Sequence, residues 1–191
     1  MVASTENEQI YKFQALTDLW TGDVNGKSER LITTGLLGSI RWWFEVLVRG
    51  LGGRACDPTD TKCEDRNHCV VCELFGCTGW ARKFRFEVLD KDCNIRETKN
   101  NEETNISPQI KKGEKFSLRF AALRPICNEE WTLLDATFRL IAEYGAIGGK
   151  TVFKPTDETD RAGKLHHNDY GLVELVPSEQ FVKTRSDDLE K

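Results

Sequence analysis

The stretch Thr33–Gly53, TTGLLGSIRWWFEVLVRGLGG, decides how this chain folds. Leu36, Leu37, Ile40, Phe44, Leu47, Val48 and Leu51 recur at three- and four-residue steps, the one-sided period of an amphipathic helix. Arg41, Glu45 and Arg49 fall at i, i+4 and i+8 on a second, solvated face, where Glu45 can pair with either arginine. Gly35 and Gly38 lie in the first turns. They cost helix stability but let another backbone approach closely, and free N–H groups at a helix start attract anions. An arginine one turn in, beside Trp42 and Trp43, adds charge and a flat surface for a base. A plain core helix with an unusual start is the alternative. Gly52-Gly53 ends the helix.

Working outward, Ile10–Trp20 alternates Ile10, Lys12 and Gln14 with Tyr11, Phe13 and Ala15 and reads as a first strand. The turn-rich TGDVNGKSER joins it to the helix. Downstream, Arg82–Leu89 alternates Phe84, Phe86 and Val88 against Lys83, Arg85 and Glu87, and Lys115–Leu123 alternates again. Asn128 is placed as an N-cap, with Glu129 and Glu130 in the first turn. The second helix, Trp131–Tyr144, faces Leu134, Phe138, Ile141 and Ala142 inward and ends at Gly145. Tyr170–Val176 is a last strand, stopped by Pro177.

The order strand, helix, strand, strand, helix, strand predicts an α+β fold of the ferredoxin-like (RRM-like) kind. Its antiparallel four-stranded sheet carries two helices on one face. RNA-recognition domains use this fold with the open sheet face as a base platform, although fold alone does not assign function. Residues 1–177 are expected to form a single domain with two insertions, a cysteine-rich one at 54–79 and a polar hairpin or loop at 90–114; residues 178–191 form a polar tail.

Composition narrows the field. The chain has 191 residues, 39% of them hydrophobic, with five Trp and ten Phe, which suffices for a core. Charged residues make up 30%, and no run approaches the roughly 18 apolar residues of a membrane helix. The N-terminus shows no signal-peptide pattern, so a cytoplasmic protein is expected. A net charge of −4 argues against a nucleic-acid binder, but residues 30–85 hold nine Lys/Arg against six Asp/Glu. A local basic surface is compatible with that distribution.

Five of the seven cysteines fall between Cys56 and Cys77. An odd total without a signal peptide fits metal binding better than a disulfide framework. Cys69-Val-Val-Cys72 is a Cys-x2-Cys knuckle that presents two thiolates to one tetrahedral metal, and Cys56 and Cys63 just upstream can close the site. A short segment with no apolar period cannot hold itself folded, whereas a metal can supply that stability. Four protein ligands make such a site closed, so a structural zinc is expected. His68 and Cys77 are spare candidates, with Cys77 expected to pack toward the core; buried thiols or a redox pair are the plainer readings.

Gly145-Ala-Ile-Gly-Gly-Lys150-Thr151 invites a P-loop reading and fails it. The spacing between the first Gly and the Gly-Lys pair is three residues where a P-loop needs four, and the loop follows a helix where a P-loop follows a strand. A backbone nest for an RNA phosphate, helped by Lys150, fits better. A glycine C-cap with a tight turn is the structural alternative.

Three segments carry a resemblance: GLLGSIRWWFEVLVRGLGG at 35–53, CELFGCTGWARKFRFEV at 72–88 and GAIGGKT at 145–151. Over roughly residues 10–176 the chain resembles the RAMP superfamily of type III CRISPR systems, most nearly the first RAMP subunit of the type III-B (Cmr) effector complex. The resemblance implies a RAMP fold and a non-catalytic RNA-binding subunit that contacts CRISPR RNA and helps capture target RNA. It implies other RAMP subunits as partners, with cutting done elsewhere in the complex. Carried over by position, Arg41 and Trp42 would meet RNA, and Gly148, Gly149 and Lys150 would line the phosphate path. The polar 90–114 segment occupies the place of a protruding hairpin. Family members usually carry two RAMP units, and this chain has length for one plus insertions.

Two other functions compete. A RAMP endoribonuclease would need a general base, for which His166-His167, Asp18 and Asp23 are the candidates. No partner acid or oxyanion donor can be placed beside them, and solvated histidines are the simpler reading. A zinc-stabilised adaptor touching only protein subunits would show no salt-dependent RNA affinity.

Overall fold

Alternation in the strands becomes one sheet with two unlike faces. The computed structural model describes residues 7–22, 28, 30–56, 63, 67–96, 109–149 and 170–176. Strands β1 (Glu8–Ala15), β2 (Phe84–Leu89), β3 (Lys115–Ala122) and β4 (Val173–Leu175) pair in the order β2-β3-β1-β4. Every neighbouring pair is antiparallel, with Phe13 opposite Phe116 and Phe86 opposite Phe120. Helices α1 (Thr33–Gly50) and α3 (Asn128–Tyr144) follow β1 and β3. This is the expected ferredoxin-like α+β topology.

Tyr11, Phe13, Phe84, Phe116, Phe120 and Val173 are buried on the inner face. From α3, Phe138 sits among Tyr11, Phe13 and Phe120, with ring centroids 4.3, 5.5 and 5.8 Å away. Leu36, Ile40, Trp43, Phe44 and Val48 of α1 complete the core. The outer face is mostly polar: Lys12, Gln14, Arg85, Glu87 and Arg119 lie there beside Ile10 and a buried Leu89, and Arg119 is paired with Glu87. No aromatic residue of the described strands is on that face, so base stacking on the open sheet has no ring to use.

Several boundaries differ from expectation, each for a local reason. β1 stops at Ala15, not Trp20. Beyond it the chain bonds to loops, with the Leu16 and Thr17 amides on the Leu172 carbonyl and the Leu19 amide on the Ile110 carbonyl. α1 ends at Gly50, and Gly52 takes φ +80° so that the Gly52 and Gly53 amides reach the Arg49 and Val48 carbonyls. The N-cap of α3 is Cys127, not Asn128, because the Glu130 carboxylate turns back to accept the Cys127 amide at 3.0 Å. A six-residue helix, α2 (Val70–Phe75), forms inside the cysteine-rich insertion. It is too short to show a period in sequence. Its Phe75 wedges between Phe44 of α1 and Phe84 of β2, at 5.2 and 5.4 Å. Parts of the 90–114 insertion, and all of the 178–191 tail, lie outside the described residues.

Phe138 is fully buried. Phe138→Ala removes a ring that three other rings touch, and should destabilise the fold by about 3–5 kcal/mol. Thermal unfolding should register this as a midpoint lowered by several degrees; a midpoint unchanged within about 1 °C would contradict the helix assignment.

Candidate nucleic-acid interface and metal centre

The four expected cysteines converge. The sulfurs of Cys56, Cys63, Cys69 and Cys72 all lie within 4.8 Å of one another. A tetrahedral zinc with bonds of about 2.3 Å needs sulfurs roughly 3.8 Å apart, so the set fits one ion. Local sequence explains the convergence. Cys69 is the N-cap of α2, and its sulfur accepts the Cys72 amide at 3.5 Å, as it does the Cys56 amide at the same distance. The Cys69 amide in turn donates to Cys63 Sγ at 3.3 Å. Burial pushes the Cys69 thiol up, but the hydrogen bonds from the Cys56 and Cys72 amides outweigh it and bring it to about 7. Burial and the neighbouring Cys56 and Cys69 thiols push Cys72 the other way. A divalent cation held there would replace the protons that this crowding strands on the cluster.

The spare candidates stand apart from the cluster. His68 stacks on Trp80 at 4.6 Å with its Nδ1 3.7 Å from Glu73. Cys77 is partly buried against the core and pairs with Trp80 through the backbone. Lys83 ties the insertion to α3, bonding Glu73 of α2 at 3.2 Å and Glu130 at 2.8 Å. Burial alone would lower the Lys83 pKa, but the two carboxylates raise it.

The charged stripe of α1 is not solvated as expected. Glu45 is buried; it accepts a hydrogen bond from Arg41 at 3.0 Å and forms an ion pair with Arg49 at 3.7 Å. Both arginines reach into the cysteine segment. Arg41 donates to the Gly76 carbonyl at 2.7 Å and to Cys72 Sγ at 3.5 Å, and Arg49 donates to the Cys56 carbonyl at 3.2 Å.

On another side, α1 meets the glycine-rich loop. Trp43, which the apolar period omitted, is buried, and its indole N–H donates to the Ala146 carbonyl at 2.8 Å. Its ring fills the space where a Cβ on Gly145 would sit, 2.4 Å away. Ser39 accepts the Gly148 amide at 3.0 Å, and the Gly149 amide donates to the Trp20 carbonyl at 2.7 Å. Gly148 has φ +101°, and a Cβ there would lie 2.7 Å from that same carbonyl. These glycines are required by close packing on Trp20 and Trp43, and their amides are spent inside the protein. Trp42 is 41% exposed and sits edge-on to Trp43 at 4.9 Å. Gly35 and Gly38 have no backbone pressed against them; around Gly38 nothing lies within 4 Å of a would-be Cβ. Ser39 and Trp20 escaped the sequence reading because each looks like an ordinary helix or strand residue until the loop is in place, and Trp43, expected to offer a flat surface for a base, is instead buried under that loop. Lys150, Asp23, His166 and His167 lie outside the described residues.

The three segments that carried the resemblance thus meet on α1. A family model for the RAMP superfamily matches residues 12–153. No curated protein matches the chain. Among solved structures, the crystal structure of Cmr1 from Pyrococcus furiosus in its apo form matches with a TM-score of 0.51 and 13% identity, over 96% of this chain and 51% of that one. At that identity the likeness is one of fold, and the chain spans about half the length of that protein. The match over residues 12–153 shows that this chain belongs to the RAMP superfamily.

Proposed function

We propose that this chain is a non-catalytic RNA-binding subunit of a type III CRISPR RNA-guided effector complex, contacting CRISPR RNA and helping to capture target RNA beside other RAMP subunits. The observation that carries the reading is the junction of two family segments far apart in sequence. Ser39 in the opening helix and Gly148 in the glycine-rich loop are 109 residues apart and share a hydrogen bond. That junction supports an RNA path along α1 and the loop, with Trp42 as a stacking surface and Lys150 as a phosphate contact. Gly148 and Gly149 serve the path by letting the loop lie flat on Trp20. Arg41 is left out of the path, because its guanidinium is turned to Glu45, Gly76 and Cys72.

The endoribonuclease reading gains no support from Asp18. Its carboxylate accepts the Lys112 amide at 2.8 Å and lies 3.0 Å from Lys111 Nζ. The amide bond first, and then the lysine, hold its pKa low, away from the range a general base needs near neutrality. No helix among the described residues is long and apolar enough to cross a membrane. We read the chain as one cytoplasmic domain over residues 1–177.

We further infer that the four-thiol cluster holds one structural zinc through Cys56, Cys63, Cys69 and Cys72. When bound, the ion supplies folding energy to the insertion and no open coordination position for chemistry. Metal analysis of the purified protein should give about one zinc per chain, and Cys69→Ser should remove it. Absence of zinc, or unchanged metal content in the variant, would contradict the assignment.

For RNA, filter binding of the assembled complex over a range of salt separates the roles. Lys150→Ala should lower the slope of log affinity against log salt by about 0.7, the single-strand value for one phosphate, with similar losses for different sequences. Trp42→Ala should cost about 1–3 kcal/mol and leave the slope alone. Unchanged affinity for both variants would favour an adaptor that touches only protein. Cleavage of labelled RNA that is lost in His166→Ala/His167→Ala would favour the nuclease.

A further inference from the structure

The stripe Arg41–Glu45–Arg49 holds all three charged residues of α1, and each of them is bonded within the protein. Glu45 is buried at the middle and pairs with both arginines. Each arginine then grips one end of the cysteine segment: Arg49 the Cys56 carbonyl, and Arg41 the Gly76 carbonyl and the Cys72 sulfur. Resting on the metal reading above, we propose that this stripe is a clamp on the thiolate centre, with Arg41 as its positioning residue, and that metal loading thereby orders the helix that carries Trp42.

Charge supplies the reason. A divalent zinc with four thiolates carries a net charge of about −2, and burying it is costly unless a cation lies close. Arg41 is partly buried beside the cluster and offers it that cation and an N–H···S bond together. The planar fork matters as well. One guanidinium addresses a carboxylate, a carbonyl and a sulfur at fixed angles, which the single ammonium of lysine cannot reproduce. Spacing makes the stripe fit. Arg41 and Arg49 are two turns apart on the helix, and they reach the two cysteines, Cys56 and Cys72, whose sulfurs lie 3.2 Å from each other. A shared ion would set those two sulfurs at the roughly 3.8 Å of a tetrahedral site, and so would fix the two residues that the arginines grip.

The test uses the full chain, stripped of metal and titrated with Zn²⁺ against a chromophoric chelator, with hydrogen exchange read on the same samples. Arg41→Ala should weaken Zn²⁺ binding 10–100-fold, the range seen when a residue supporting metal ligands is removed. Arg41→Lys should recover part of that loss. Arg85→Ala, which removes an equal charge on the outer face of the sheet, should bind as the wild type does. Zn²⁺ should slow exchange in the peptide covering α1 in the wild type and not in Arg41→Ala. If Arg41→Ala fails to fold, Arg41→Lys decides alone: a measurable loss of Zn²⁺ affinity supports the clamp and none overturns it. Equal affinity in Arg41→Ala, or protection confined to residues 56–76, overturns the clamp and leaves the zinc assignment standing. A wild-type chain that takes up no Zn²⁺ overturns both.

Discussion

The buried hydrogen bond from Trp43 Nε1 to the Ala146 carbonyl fastens the opening helix to a loop that begins at the far end of α3. Without it the loop has no reason to lie where it does. The indole ring occupies the space over Gly145, the Gly148 amide reaches Ser39, and Gly149 packs under Trp20. Each contact requires the others, because a side chain at any of these glycines would collide with a ring or a carbonyl. The helix in turn takes its own position from the sheet, where Leu36, Ile40, Phe44 and Val48 are buried. Sheet, helix and loop are therefore one packed unit, and the surface beside Trp42 inherits its geometry from that packing.

A second set of bonds leaves the same helix for the cysteine segment. Here polar contacts do what an apolar stripe does elsewhere. The segment brings Val71, Leu74 and Phe75 to the core, but only Phe75 is seen wedged between α1 and β2 as a ring contact. Polar contacts add to that burial: Arg41 and Arg49 on one side, Lys83 bridging Glu73 and Glu130 on the other. A four-thiolate ion would supply the internal order that so small a segment cannot generate from burial. The RNA-binding proposal and the metal proposal then share an element, since the helix that packs on the glycine loop also carries the arginines on the cysteines.

The fold was legible because strand alternation and helix period are local and strong. Phe84, Phe86 and Val88 point inward as their spacing requires, and so do Leu134, Phe138 and Ile141. The four cysteines were legible for the opposite reason: thiols this dense in a stretch without period have few other uses. What sequence could not give was the direction of polar side chains on α1. An i, i+4, i+8 run of Arg, Glu and Arg reads as a solvated face, and only the insertion folding back over it reveals that Glu45 is buried. The glycines misled in the same way. Read alone, they suggested bare backbone for a phosphate. In place, their amides belong to Ser39 and Trp20, partners far from them in sequence. Both errors concern contacts between distant segments, which local pattern does not encode.

The central claim is that RNA runs along the junction of α1 and the glycine-rich loop and not across the open sheet. Photocrosslinking of a 4-thiouridine-containing guide RNA in the assembled complex, mapped by mass spectrometry of the crosslinked peptides, tests it most directly. The account predicts crosslinks in peptides covering residues 35–53 and 145–151, with Trp42 among the attached residues. Crosslinks confined to the outer face of the sheet, around Lys12, Arg85 and Arg119, or none on this subunit while its neighbours are labelled, would contradict it.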